Sequence, residues 1–312
     1  MQERNLGKSG LRVSVVGLGC NNFGGRIDLE ATRKVVHKAI DLGITLFDTA
    51  DVYGESGGSE TLLGQVLGDR RKDIVLASKF GMVMDDAEKL KGGSRRYIMR
   101  AVDDSLRRLK TDWIDLYQLH RNDPLTPLEE TLRALDDLIR QGKVRYIGCS
   151  NLPAWRVVEA QWTARTNGLN AFTSCQDEYS LLVRDIERDI VPVAQEYGLG
   201  ILPYFPLASG LLTGKYRRNA TMPEGARLTT TQRLADRYMT EANWERVERL
   251  DDFAKARGRT LLELAFSWLA AKPVVSSVIA GATKPEQLEA NVRATEWTLT
   301  PEDLAEIDAI TG

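Results

Sequence analysis

The sequence predicts a (β/α)8 barrel, an α/β fold of the TIM type, with an N-terminal β-hairpin and a long loop after the seventh strand. Three observations carry that expectation. Short apolar, β-prone runs alternate with amphipathic helical segments, a rhythm that dictates parallel strands joined by right-handed crossovers. Eight such units fill a chain of 312 residues, a length that suits this barrel. The doubly wound alternative lacks its fingerprint, because Val16-Gly17-Leu18-Gly19 has no third glycine. No Pro/Gly/Ser-rich linker interrupts the rhythm, so residues 1–312 are expected to form one domain.

The elements follow in order. Two β-prone arms flank the turn-rich Gly7–Gly10, a hairpin pattern. Val13–Cys20 is the first barrel run. Asp28 then caps a helix with Val35, Val36, Ala39 and Ile40 on one face and Gly43 as its stop. His37 falls off that stripe and reads as a solvated helix residue. The next pairs of strand and helix are Ile44–Phe47 with Glu60–Leu67, Ile74–Ser78 with Arg95–Leu109, and Trp113–Leu119 with a helix through Leu128, Leu132, Leu135 and Leu138. Thr126-Pro127-Leu128-Glu129 reads as a capping box for that last helix. Val144–Cys149 pairs with Pro153–Ala164, Ala171–Cys175 with Ile186–Tyr197, and Leu199–Tyr204 is strand seven. Residues 215–240 are polar, basic and aperiodic, and such a long connection reads as a functional loop or lid. Helices over Glu241–Ala256 and Thr260–Ala271, the strand Val274–Ile279, and two helices opened by Thr283-Lys284-Pro285-Glu286 and Thr300-Pro301 complete the chain.

Composition narrows the function. The formal net charge of −2 gives no general attraction to nucleic acid or an anionic membrane. No apolar run approaches the length of a membrane span, and MQERNLGKSG lacks the apolar core of a secretory signal, so a cytoplasmic protein is expected. Cys20, Cys149 and Cys175 are three widely spaced cysteines that suggest neither a disulfide framework nor a zinc site. With only His37 and His120 available, no metal centre is expected.

The chemistry lies where the apolar runs stop. Ile44–Phe47 ends in Asp48, with Tyr53 five residues on. Lys79 follows the next strand, His120 the fourth, Ser150-Asn151 the fifth, Gln176 the sixth, and Tyr204 closes the seventh. A barrel gathers its strand ends into one ring, so these residues are expected to share a site. A tyrosine beside a cationic lysine is expected to have its pKa drawn from about 10 toward neutrality. An acid against the lysine keeps it ionised, and a histidine can donate a hydrogen bond to a substrate oxygen. That equipment suits protonation of an oxygen while its carbon receives hydride.

The motifs FDTADVYG, SKFG, YQLHRNDP, GCSN, QDEYSLL and PYFPLASGLLTGKY resemble those of the aldo-keto reductases, and the resemblance runs nearly end to end. It implies reduction of aldehyde and ketone carbonyls to alcohols with NADPH as cofactor and NADH as a weaker one. Tyr53 would be the proton donor, Lys79 and Asp48 would tune it, and His120 would orient the carbonyl of a small-molecule substrate. Ser150, Asn151 and Gln176 would hold the nicotinamide carboxamide, and Tyr204 would stack on its ring. Leu207, Ser209, Gly210, Leu212, Gly214 and Lys215 would wrap the pyrophosphate. Gly281, Ala282, Thr283, Lys284, Gln287 and Asn291 would line the adenosine-2′-phosphate segment. Many relatives carry Lys-Ser or an arginine where this chain has Ala282-Thr283, so NADPH stays the expected preference with Lys284 as the one cation there, and its strength over NADH is left open. The family contains monomers and homo-oligomers, which leaves the assembly state open.

Cys20, Phe23, Phe80, Met82 and Met84 are expected to offer an apolar substrate pocket, bordered by the basic segment 89–96. Two other readings stand beside carbonyl reduction. Lys79 at a strand end could form a Schiff base, as in a lyase. The resemblance also extends to the branch with the potassium-channel β-subunits, where the same fold serves as a binding and redox-sensing subunit.

Overall fold

The computed structural model describes residues 1–312. The first two strands, β1 (Glu3–Asn5) and β2 (Arg12–Ser14), pair antiparallel as the expected hairpin. The barrel strands are β3 (Val16–Gly19), β4 (Leu46–Asp48), β5 (Val75–Phe80), β6 (Ile114–Leu119), β7 (Val144–Ser150), β8 (Ser174–Gln176), β9 (Gly200–Ile201) and β10 (Val278–Gly281). They form one parallel sheet in the order β10-β3-β4-β5-β6-β7-β8-β9. A parallel bridge between Ile201 and Val275 joins its two edges and closes the (β/α)8 barrel. The barrel sheet is left with no open edge.

Helices fill the connections. They are α1 (Leu29–Asp41), α2 (Tyr53–Val66), α3 (Arg95–Leu109), α4 (Leu128–Arg140), α5 (Ala154–Asn167), α6 (Ile190–Tyr197), α7 (Arg227–Thr230), α8 (Gln232–Tyr238), α9 (Glu241–Ala256), α10 (Leu261–Ala270), α11 (Pro285–Arg293) and α12 (Pro301–Thr311). A large apolar cluster fills the space between these helices and the outer barrel wall. A smaller one, Leu6, Val13, Leu46, Ala77, Leu116, Leu202 and Ile279, fills the inside, with the hairpin residues Leu6 and Val13 plugging its N-terminal end.

Strand periodicity turns that inner layer into a site. Side chains two residues apart share a face, so Asp48 follows Leu46 inward, Lys79 follows Ala77, Gln118 follows Leu116, and Tyr204 follows Leu202. The apolar layer thus gives way to a polar one at the C-terminal mouth. Gly148 leaves room beneath it, since a Cβ there would lie 2.4 Å from Ser174 Oγ and 3.3 Å from Gln118 Cγ.

Several local expectations are corrected. Strand seven shortens from Leu199–Tyr204 to β9, where Pro203 has no N–H to give to a ladder. The last strand shifts to β10, because Val275 N–H turns back onto Lys272 O. The Thr126 capping box does not form: Thr126 Oγ1 donates instead to Asp123 Oδ2 at 2.7 Å, and Pro127 occupies the cap of α4. Segment 215–240 is not structureless but builds α7 and α8, anchored by buried Leu228, Leu234 and Tyr238. His37 is half-buried, with Nε2 3.0 Å from Val66 O, and is not a solvated residue.

Candidate active site

The polar ring at the mouth is built around Asp48. Its Oδ2 accepts from Lys79 Nζ at 2.6 Å, while Oδ1 accepts from Gln176 Nε2 at 2.9 Å and from Gln118 Nε2 at 3.2 Å. Those donors come from β5, β8 and β6, so three strands hold one carboxylate. Lys79 is fully buried, and its ammonium meets Asp48, Thr49 O at 3.0 Å and Tyr53 Oη at 3.5 Å. Three protons find three acceptors, which is what a buried ammonium requires. Burial works against that charge, but Asp48 and Tyr53 outweigh it, and the Lys79 pKa is raised.

Tyr53 enters the site from the start of α2. The four residues after it, Gly54, Glu55, Ser56 and Gly57, all have positive φ, so the regular helix begins only beyond them. At Gly54 the conformation is enforced by close approach, since a Cβ would fall 2.4 Å from Phe23 O. The expectation of a lowered Tyr53 pKa is reversed. Burial pushes the phenol up, Lys79 draws it back, Asp48 adds to the rise, and the net direction is upward. Tyr53 is therefore a neutral hydroxyl donor at neutral pH.

His120, at the end of β6, packs edge-on to Tyr53 with ring centroids 5.7 Å apart. Burial, Lys79 and Arg121 lower its pKa to about 3, so the ring is a neutral imidazole. Its Nδ1 is buried without a partner, where a bare lone pair costs less than an unpaired N–H, and the ring hydrogen is assigned to Nε2 on that ground. The remaining strand-end residues interlock. Ser150 Oγ donates to Gln176 O at 2.7 Å, Asn151 Nδ2 donates to Ser150 Oγ at 2.8 Å, and Tyr204 Oη donates to Asn151 Oδ1 at 2.8 Å. Burial and then Glu178 and Asp177 push the Tyr204 phenol up to about 12.

One cavity of about 700 Å³ runs from these groups across the barrel mouth. Of the residues anticipated from sequence, Asp48, Tyr53, His120, Ser150, Asn151, Gln176, Tyr204, Leu207, Ser209, Gly210, Lys215, Gly281, Thr283, Gln287 and Asn291 line it. Ser209 and Gly210 adopt positive φ, the Ser209 hydroxyl is buried and unpartnered, and the Lys215 ammonium lies against Gly210. Gln287 Oε1 accepts from the backbone N–H groups of Thr283 and Lys284, which fixes the start of α11.

Leu212, Gly214 and Lys284 do not line it. Leu212 is buried in the core, Gly214 ends a 3-10 turn in the left-handed region, and Lys284 is exposed. Of the expected apolar pocket, Cys20 and Met82 face the cavity, while Phe23 and Phe80 are core residues and Met84 borders a separate small pocket beside Asp51. Segment 89–96 does not border the cavity.

The structure also brings in residues that sequence reasoning missed. Gln118 carried a readable signal: a polar residue inside an apolar strand run, two positions before a strand-end histidine. Arg227 and Arg233 lie on α7 and α8, whose short helices leave no periodic signature. Arg26 reaches across the mouth and donates from Nη2 to Gly225 O at 3.0 Å. Arg227 stacks on the Phe205 ring at 5.4 Å, and burial together with Arg26 lowers its pKa. Arg26, Lys215, Arg227 and Arg233 thus add four cations to the lining on that side of the mouth.

The chain is a parallel α/β barrel with a buried acid–lysine pair, a tyrosine and a neutral histidine at its C-terminal mouth. Residues 15–311 match the model of the Aldo/keto reductase family, and the chain belongs to that family of oxidoreductases, which generally use NAD(P)H. It is 37% identical to a rice protein named "Probable voltage-gated potassium channel subunit beta", over 99% of this chain and 96% of the relative. It is 36% identical to the Bacillus subtilis oxidoreductase YrpG, again over 99% and 96%. It is also 36% identical to the L-glyceraldehyde 3-phosphate reductase of Escherichia coli K12, over 99% of this chain and 92% of the relative. No helix is long and apolar enough to cross a membrane.

Proposed function

We propose that the protein reduces aldehyde or ketone carbonyls to alcohols with NADPH, Tyr53 donating the proton. The observation that carries this reading is the convergence of Asp48, Lys79, Tyr53 and His120 at one end of a cavity large enough for a dinucleotide. The lining suits that cofactor. The unpartnered Ser209 hydroxyl, the positive-φ turn at Ser209-Gly210, and the Lys215 and Arg227 cations favour phosphate oxygens. Ser150, Asn151 and Gln176 offer amide and hydroxyl partners to a carboxamide, and Tyr204 a flat phenol face beside them. Thr283, Gln287 and Asn291 hold the adenosine end. When bound, a reduced nicotinamide supplies hydride to the carbonyl carbon.

The chain's own residues handle the oxygen. His120 donates a hydrogen bond from Nε2 and, being neutral, does not compete as an acid. Tyr53 Oη transfers its proton to the developing alkoxide. Lys79 stabilises the phenolate left behind, and Asp48 keeps Lys79 ionised and aimed. The same ion pair speaks against a Schiff base, because an ammonium held by a carboxylate at 2.6 Å is not a nucleophilic amine. A binding subunit with little turnover remains the second reading, favoured by the rice relative's name.

The test is an NADPH-oxidation screen over aldehydes and ketones with Tyr53→Phe beside the unmodified protein. Turnover that falls at least a hundredfold in Tyr53→Phe is expected, the size typical of a lost general acid. Full activity in Tyr53→Phe refutes the proton-donor role. Tight NADPH binding without turnover of any carbonyl favours the binding subunit.

A further inference from the structure

The cavity is lined by five cations, Arg26, Arg121, Lys215, Arg227 and Arg233, and by one carboxylate, Asp48, which Lys79 already neutralises. Lys215, Arg227 and Arg26 crowd together: burial, and then the charge of Arg26, lower the pKa of both Lys215 and Arg227. That cluster fits the phosphates of a dinucleotide. Arg121 stands apart from it. It follows His120 directly at the end of β6, its charge acts on the imidazole, and it is exposed to the cavity without an ion pair of its own. A free guanidinium beside a carbonyl-orienting residue has no task in hydride or proton transfer. It presents a forked donor set that matches phosphate and carboxylate oxygens.

We propose that Arg121 selects substrates, and that the preferred class is a short aldehyde carrying an anionic group a few bonds from its carbonyl. This rests on the reductase reading above and adds to it the chemistry of the substrate's far end. Neutral aldehydes would reach the same carbonyl position but leave Arg121 in water.

Two matched pairs test it: glyceraldehyde 3-phosphate against glyceraldehyde, and succinic semialdehyde against butanal. The unmodified protein is expected to favour the anionic member of each pair in kcat/KM. Arg121→Met is expected to cut that selectivity ratio at least fivefold, acting mainly through KM, while Arg121→Lys keeps part of it. A fall in both pairs assigns anions in general, and a fall in the first pair alone assigns phosphate. An equal loss for charged and neutral aldehydes, or no initial preference, overturns the inference and leaves the reductase reading intact. Calorimetry with glycerol 3-phosphate, with and without NADP+, separates the two ideas if no carbonyl is reduced. Weaker binding by Arg121→Met than by the unmodified protein then supports the anion site on its own, and equal binding overturns it.

Discussion

Asp51 is a carboxyl group in an unfavourable place, and Asp51→Asn should make the protein more stable in mild alkali. The side chain is 1% exposed. Tyr97 Oη donates to Oδ2 at 3.2 Å, and Oδ1 has no partner. Burial, and then the charge of Glu60, raise its pKa from 3.8 to about 7, with Tyr97 and Arg108 pulling the other way. Its pKa is higher folded than unfolded, so the stability it contributes is full below pH 3.8 and is lost as pH climbs toward 7. Roughly three pH units at about 1.4 kcal/mol each put that loss at about 4 kcal/mol. Asparagine keeps an acceptor for Tyr97 and removes the charge, but its buried NH2 costs about 1–3 kcal/mol if unpaired. Urea unfolding should therefore show Asp51→Asn more stable than the unmodified protein by about 2 kcal/mol near pH 8, and no more stable near pH 5. Asp177, whose carboxyl burial and Asp189 also raise to about 7, is present in both proteins and cancels in the comparison. A stability difference that does not change between the two pH values would refute the reasoning.

Three further substitutions probe packing and the cavity. Gly64→Ala places a Cβ 2.2 Å from Arg108 O and 2.7 Å from Leu109 C, where α2 and α3 touch backbone to backbone, so it should cost about 1–3 kcal/mol of stability, read as a lower urea midpoint. An unchanged midpoint would show that the two helices separate freely. Lys284→Ala should leave the KM for NADPH within about twofold, because Lys284 lies outside the cavity, whereas Arg227→Met should raise it about tenfold, the equivalent of about 1.4 kcal/mol. The reverse ranking would return the phosphate contact to Lys284.

The barrel and most of its mouth were legible because strand periodicity is a strict rule. A polar residue where an apolar run stops must sit at a strand end, and Asp48, Lys79 and His120 all obey it. Gln118 falls outside that rule, since it lies within the run and not at its end. The capping box at Thr126 failed because a nearer acceptor, Asp123, was not visible from the four-residue pattern. Leu212, Gly214 and Lys284 rest on motif position alone, and a motif says neither which way a side chain points nor where the backbone turns. The direction of the Tyr53 pKa was misjudged because the lysine's pull was weighed without the burial that opposes it. Arg227 and Arg233 were out of reach, as helices of four and seven residues leave too few positions for a period to register.

The three donors that hold Asp48 belong to β5, β6 and β8, whereas the cations of the cavity ride on the segments that join one barrel strand to the next, α7 and α8 among them. On the proposed function, the residues that hold the acid–lysine pair and those that choose a ligand's charged groups are written on different stretches of chain. Connections can be lengthened, shortened or exchanged with little effect on a wall of hydrogen-bonded strands. A lineage built this way can acquire a new diet, or give up turnover and keep only its ligand, by editing the rim while the machinery beneath stays as it was.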